Sequence, residues 1–85
     1  MSISNYVIIL LNGGGIIMIG KQIKKMRIAA GFNQKELAEN LDIAQNTLSG
    51  YETGYSMPNY SMVEKIAKLC EFEIIFMDKN STEII

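Results

Sequence analysis

The sequence predicts a mainly α chain of four helices with a short β-strand at its N-terminal end and another at its C-terminal end. Three observations predict it. Between residues 19 and 71 apolar side chains recur every three or four positions, the period of a helix that turns one face inward. Tyr6 to Leu11 is instead a continuous apolar run rich in Val and Ile, and Phe72, Ile74 and Phe76 recur with period two; both patterns favour strands. Cap and stop residues, namely Gly31, Asn33, Asp42 and Asn59, fall between the periodic segments. With 85 residues there is room for one domain, since the usual unit is roughly 100 to 150 residues. Along the chain the expected divisions are an N-terminal strand and glycine-rich turn (1–17), a helical domain (18–71), and a C-terminal strand and tail (72–85).

Residues 1–17 carry no charged side chain. The apolar run Tyr6 to Leu11 is bounded by Asn12 and three glycines, which reads as a strand followed by a turn. It is too short to span a membrane, which takes about 20 apolar residues. A secretory signal would also need a basic start and a small-residue cleavage site. A second reading competes with the strand. Consecutive glycine codons can encode a purine-rich ribosome-binding sequence, and Gly14-Gly15-Ile16-Ile17 would set it two codons before Met18. Met18 would then be the natural start and residues 1–17 a translated leader.

The first helix is expected over Ile19 to Ala30, with Ile19, Ile23, Met26 and Ala30 on one face and Lys21, Lys24 and Lys25 on others. Gly31 is the stop, in the left-handed position that follows many helices. Phe32 stands just before the next cap, placed to pack against Leu37 as a hydrophobic staple. The three lysines read either as a solvated face or as phosphate contacts.

Two short helices follow. Asn33 and Glu36 have capping-box spacing, in which the Asn oxygen accepts a backbone N–H and the Glu reaches back. Leu37, Ala38 and Leu41 form an apolar stripe that Leu48 and Tyr51 continue on the second helix. Ala38 is small where two backbones would cross, and Asp42 stands where the turn wants a left-handed conformation. Counted from Gln34, the small residue, turn residue and apolar anchors lie at offsets of four, eight, fourteen and seventeen. That is helix-turn-helix spacing. The second of these helices, Ala44 to Tyr51, is the candidate recognition helix. With Leu48 and Tyr51 facing the core, Gln45, Asn46, Thr47 and Ser49 project outward. Carboxamides donate and accept at once, matching the N6 and N7 edge of adenine, and a Thr methyl can touch a thymine methyl. The plain alternative is a solvated polar face.

Pro58 closes the next loop and Asn59 caps a fourth helix, Tyr60 to Glu71, with Val63, Ile66, Ala67 and either Cys70 or Leu69 facing in. In the strand that follows, Phe72, Ile74 and Phe76 alternate with Glu73, Ile75 and Met77. One strand cannot stand alone, so it pairs with Tyr6 to Leu11, with its copy in a second subunit, or with both. Asp78 to Ile85 reads as a frayed tail.

Residues 19 to 70 resemble the Cro and lambdoid phage repressor (XRE-type) family, through IGKQIKKMRIAAGFNQKELAENL, DIAQNTLSGYETG and MPNYSMVEKIAKLC. The resemblance covers about three fifths of the chain. It implies a four-helix repressor-like domain that binds double-stranded DNA and represses transcription, as a homodimer on a palindromic operator. It also implies an ion pair between Arg27 and Glu52 that ties the first helix to the end of the recognition helix. Gln34 is implied as a phosphate contact, with Lys35, Asn33 and Tyr55 beside it; Gln45, Asn46, Thr47 and Ser49 would read bases. The sequence departs from the family pattern at four places. Asp42 replaces the usual turn glycine, and Ala44 stands where a capping Ser or Thr is common. Gly50 occupies a site often held by Arg, Lys or Gln, and Tyr55-Ser56 replaces a loop that is frequently basic.

Composition limits the alternatives. Zero histidines and one cysteine leave no zinc or iron site and no histidine-based catalysis, so the expectation is a protein that is not an enzyme and holds no cofactor or metal. Cys70 reads as a small buried hydrophobe in a reducing cytoplasm. The net charge is −1, and from Met18 to Glu71 seven basic residues face six acidic ones. Phosphate contacts normally supply most non-specific affinity, so a near-neutral domain needs a symmetric dimer and helix N-termini aimed at phosphates. The same neutrality supports a rival reading, an antitoxin-like or adaptor protein whose main contact is another protein, bound along the terminal strands.

Overall fold

The computed structural model describes residues 5–11 and 19–78. It has the expected class, four helices with a strand at either end: β1 (Asn5–Leu11), α1 (Ile19–Ala29), α2 (Gln34–Leu41), α3 (Gln45–Thr53), α4 (Tyr60–Leu69) and β2 (Phe72–Asp78). The glycine-rich turn expected at the end of the 1–17 segment and the tail beyond Asp78 lie outside the described residues.

Each boundary has a local cause. α1 stops one residue earlier than its apolar spacing suggests, and Ala30 is exposed, not on the inward face. The stop is a Schellman arrangement: Gly31 has φ 86°, its N–H donates to the Ile28 carbonyl at 3.0 Å, and the Phe32 N–H donates to the Arg27 carbonyl at 3.1 Å. At the start of α2 both halves of the capping box are made. The Glu36 N–H donates to Asn33 Oδ1 at 2.7 Å and the Asn33 N–H to Glu36 Oε1 at 2.9 Å. Asp42 ends α2 in the left-handed region, at φ 61°. α3 begins after Ala44, which supplies no side-chain cap, and runs two residues past Tyr51. α4 is capped by Asn59 Oδ1, which accepts from the Met62 N–H at 2.8 Å. It ends at Leu69, short of the expected Glu71, because Glu71 adopts φ 61°.

That left-handed glutamate carries a prediction. An L-residue pays about 1 kcal/mol or more there, and glycine avoids that cost while losing some of the gain to its freer unfolded state. Glu71→Gly is expected to raise the unfolding free energy by about 0.5 to 1 kcal/mol, measured by thermal or urea unfolding.

The core is one cluster. Ile19, Ile23 and Met26 of α1, Leu37, Ala38 and Leu41 of α2, Leu48 of α3, and Val63, Ile66 and Ala67 of α4 are buried together with Val7 of β1 and Cys70. Of the two inward candidates at the end of α4, Cys70 is buried and Leu69 is exposed. Burial pushes the Cys70 thiol up to about 11, with the Arg27 charge acting the other way, so the group is an inert neutral thiol near neutrality. β1 and β2 pair in parallel, Val7 opposite Ile74 and Ile8 opposite Ile75. Val7, Phe72 and Ile74 pack on the helices, whereas Tyr6 and Ile75 are 54% and 36% exposed.

Candidate nucleic-acid interface

α2 and α3 are set by packing of their apolar stripes. Leu37, Ala38 and Leu41 point into the core from α2 and Leu48 does so from α3, with Tyr51 partly buried against the cluster. Between the helices the chain turns within three residues, Asp42 to Ala44, and the Ile43 N–H donates to the Ala38 carbonyl at 3.0 Å. With the inward faces so committed, the first turn of α3 stands at the surface. Gln45 and Asn46 are exposed there, and Thr47 and Ser49 are half-buried.

A polar relay connects this surface to the interior. Arg27 Nε donates to Glu52 Oε2 at 2.6 Å and Nη2 donates to Oε1 at 3.1 Å, while Nη1 donates to the Phe32 carbonyl at 3.1 Å. The two side chains are only 11% and 3% exposed. Such a bidentate pair orients both partners, because the guanidinium fork matches a carboxylate in its plane. Gln34 Nε2 also donates to Glu52 Oε1, at 3.0 Å, and Gln34 Oε1 accepts from Gln45 Nε2 at 3.5 Å. The last contact is long, at the limit of a hydrogen bond. Arg27, Glu52, Gln34 and Gln45 therefore form one chain of donors and acceptors that runs from α1 to the first residue of α3.

The remaining candidates sit around this relay. Asn33 and Lys35 are exposed at the start of α2, although Asn33 Oδ1 is already used by the cap. Gln34 is half-buried, its amide N–H engaged with Glu52. Tyr55, in the loop after α3, is 91% exposed. Two participants escaped the sequence reading: the Gln34–Glu52 contact, which joins residues 18 apart, and the Phe32 carbonyl as a third partner for Arg27. Residue types alone carry no signal for either. Among the described residues, no group of three His, Cys, Asp or Glu side chains is disposed to hold a metal ion, and no helix is long and apolar enough to cross a membrane.

A model of the helix-turn-helix family matches residues 23–75, which includes every element of this surface. This chain belongs to the Cro and phage-repressor (XRE-type) helix-turn-helix family. Two known proteins align with it over 51 residues each, 60% of this chain. One is the HTH-type transcriptional regulator ImmR of Bacillus subtilis, 43% identical, with 40% of its length covered. The other is the cryptic phage CTXphi transcriptional repressor RstR of Vibrio cholerae, 35% identical, with 46% covered. The aligned segment thus spans less than half the length of either relative.

Proposed function

We propose that this chain is a sequence-specific DNA-binding transcriptional regulator, a cytoplasmic repressor that acts as a homodimer on a palindromic operator. The observation that carries the reading is the exposure of Gln45 and Asn46 side by side on the first turn of a helix whose other face is buried. Adjacent carboxamides on a rigid convex element suit the major groove. In this reading Gln45, Asn46, Thr47 and Ser49 read base edges, and Gln34, Lys35, Asn33 and Tyr55 set the register on the phosphates. The Arg27–Glu52 pair acts structurally, fixing where α3 lies. The bare first turn of α3, with no side-chain cap from Ala44, also leaves backbone N–H groups for a phosphate.

Pairing of two copies gives two recognition helices one helical turn apart, the geometry a palindrome requires. A two-stranded sheet leaves an open edge on each strand, and the second copy would pair there. Those same edges, with Tyr6 and Ile75 exposed beside them, favour the second reading, in which a different protein adds a strand.

Binding across salt concentrations separates the two. A regulator is expected to retard a selected duplex over random competitor DNA, with affinity falling steeply as salt rises. A near-neutral adaptor is expected to bind no duplex selectively at any salt, and to copurify with its partner.

A further inference from the structure

Two residues whose spacing fits an inward face end outside the core at the same place. Ala30, just past α1, is exposed, and Leu69, the last residue of α4, is 36% exposed. Both line a cleft of about 410 Å³, together with Ala29, Phe32 and Glu71. Leu69 also lines a second cleft, of about 200 Å³, with Asn40, Lys65 and Lys68. It is the wall the two clefts share, with a pair of lysines in one and a glutamate in the other. Lys65, Lys68 and Glu71 are exposed and make no ion pair among the described residues. Glu71 adds an independent sign. It holds φ 61°, where glycine would sit at lower cost, and backbone kept in a disfavoured region concentrates at ligand clamps and other functional sites.

We infer that this double cleft docks a short segment of a different protein, one that presents an apolar side chain between carboxylates on one side and a basic group on the other. The apolar side chain lies against Leu69, Ala30 and Phe32, the carboxylates meet Lys65 and Lys68, and the basic group meets Glu71. The apolar anchor supplies most of the affinity, and the charges choose the partner and its direction on the surface. Both clefts are open at the surface, which suits side chains presented by a protein; a small ligand normally buries most of its own area. None of the lining residues belongs to α3, so the site stands whether or not that helix reads DNA.

The probe is a displayed library of random short peptides, selected on the whole chain and then bound as labelled free peptides. Enrichment of sequences that carry Leu, Phe or Met between an acidic and a basic residue is expected. Leu69→Asp should bind the enriched peptides at least about tenfold more weakly, with thermal unfolding close to wild type because that side chain is already partly solvated. Lys65→Glu combined with Lys68→Glu, on an exposed stretch of α4, should lose about tenfold for these peptides and gain for versions whose acids are replaced by lysine. Glu71→Gly separates docking from folding: it should raise Tm and yet weaken binding about threefold. A selection that enriches no sequence, or enriched peptides that bind all of these variants as they bind wild type, would overturn the assignment. A dimer that Leu69→Asp dissociates would make the occupant a second copy. A chain lacking residues 1–4 that binds the peptides about tenfold more tightly would make the occupant that segment. Either result overturns the partner named here.

Discussion

Glu52→Leu is expected to lower the unfolding free energy by about 3 to 5 kcal/mol, with Arg27→Met close behind. Each substitution leaves its partner's charge in a site where the pair is at most 11% exposed, and neither charge has another counter-ion among the described residues. Glu52 also holds Gln34, so its loss frees the side chain that meets Gln45. For a small domain with a total stability of about 5 to 15 kcal/mol, the change is large enough to unfold much of the population on mild heating. The double variant Arg27→Met with Glu52→Leu should recover part of the loss, because two apolar side chains leave no orphaned charge. Urea unfolding of the four proteins tests this. Single variants as stable as wild type would mean the pair is not formed in solution.

Gly20→Ala is expected to cost about 2 to 3 kcal/mol, a sign opposite to helix propensity. Alanine favours an α-helix over glycine by about 1 kcal/mol, which alone would stabilise α1. Here α1 crosses α3 so closely that a Cβ on Gly20 would lie 2.5 Å from the Tyr51 carbonyl oxygen and 2.7 Å from that of Glu52. Both obstacles are backbone and cannot rotate away, so the helices must separate, and overpacking of this kind costs typically 1 to 3 kcal/mol and occasionally more. Separation would also pull Glu52 from Arg27. Thermal unfolding decides between the two signs: a rise in Tm would show that the crossing has room to give.

These two sites show where sequence reading succeeds and where it stops. The Asn33–Glu36 capping box, the Gly31 stop and the left-handed Asp42 depend on hydrogen bonds and dihedrals within five residues, and their residue types announce them. Leu48 facing in follows from helical period alone. Gly20 carries no such mark, because its requirement comes from a helix more than 30 positions away. The same holds for Gln34, whose letter suggests a surface amide but whose N–H is taken by a carboxylate 18 residues on. Ala30 misled for a related reason: its spacing fits the inward face, but the Schellman turn ends the helix before it. At the interface, period placed Gln45 and Asn46 outward. The half-burial of Thr47 and Ser49 was not legible, since it depends on neighbours brought up by folding.

Selection of duplexes from a random pool, run side by side with the wild-type chain and with Gln45→Ala and Asn46→Ala, tests the central claim most directly. The wild type is expected to enrich one two-fold-related motif, and each variant to lose about 1 to 3 kcal/mol of discrimination at its own base position while keeping its non-specific, salt-sensitive affinity. Enrichment of the same motif with undiminished discrimination by both variants would contradict the assignment of this face to base reading.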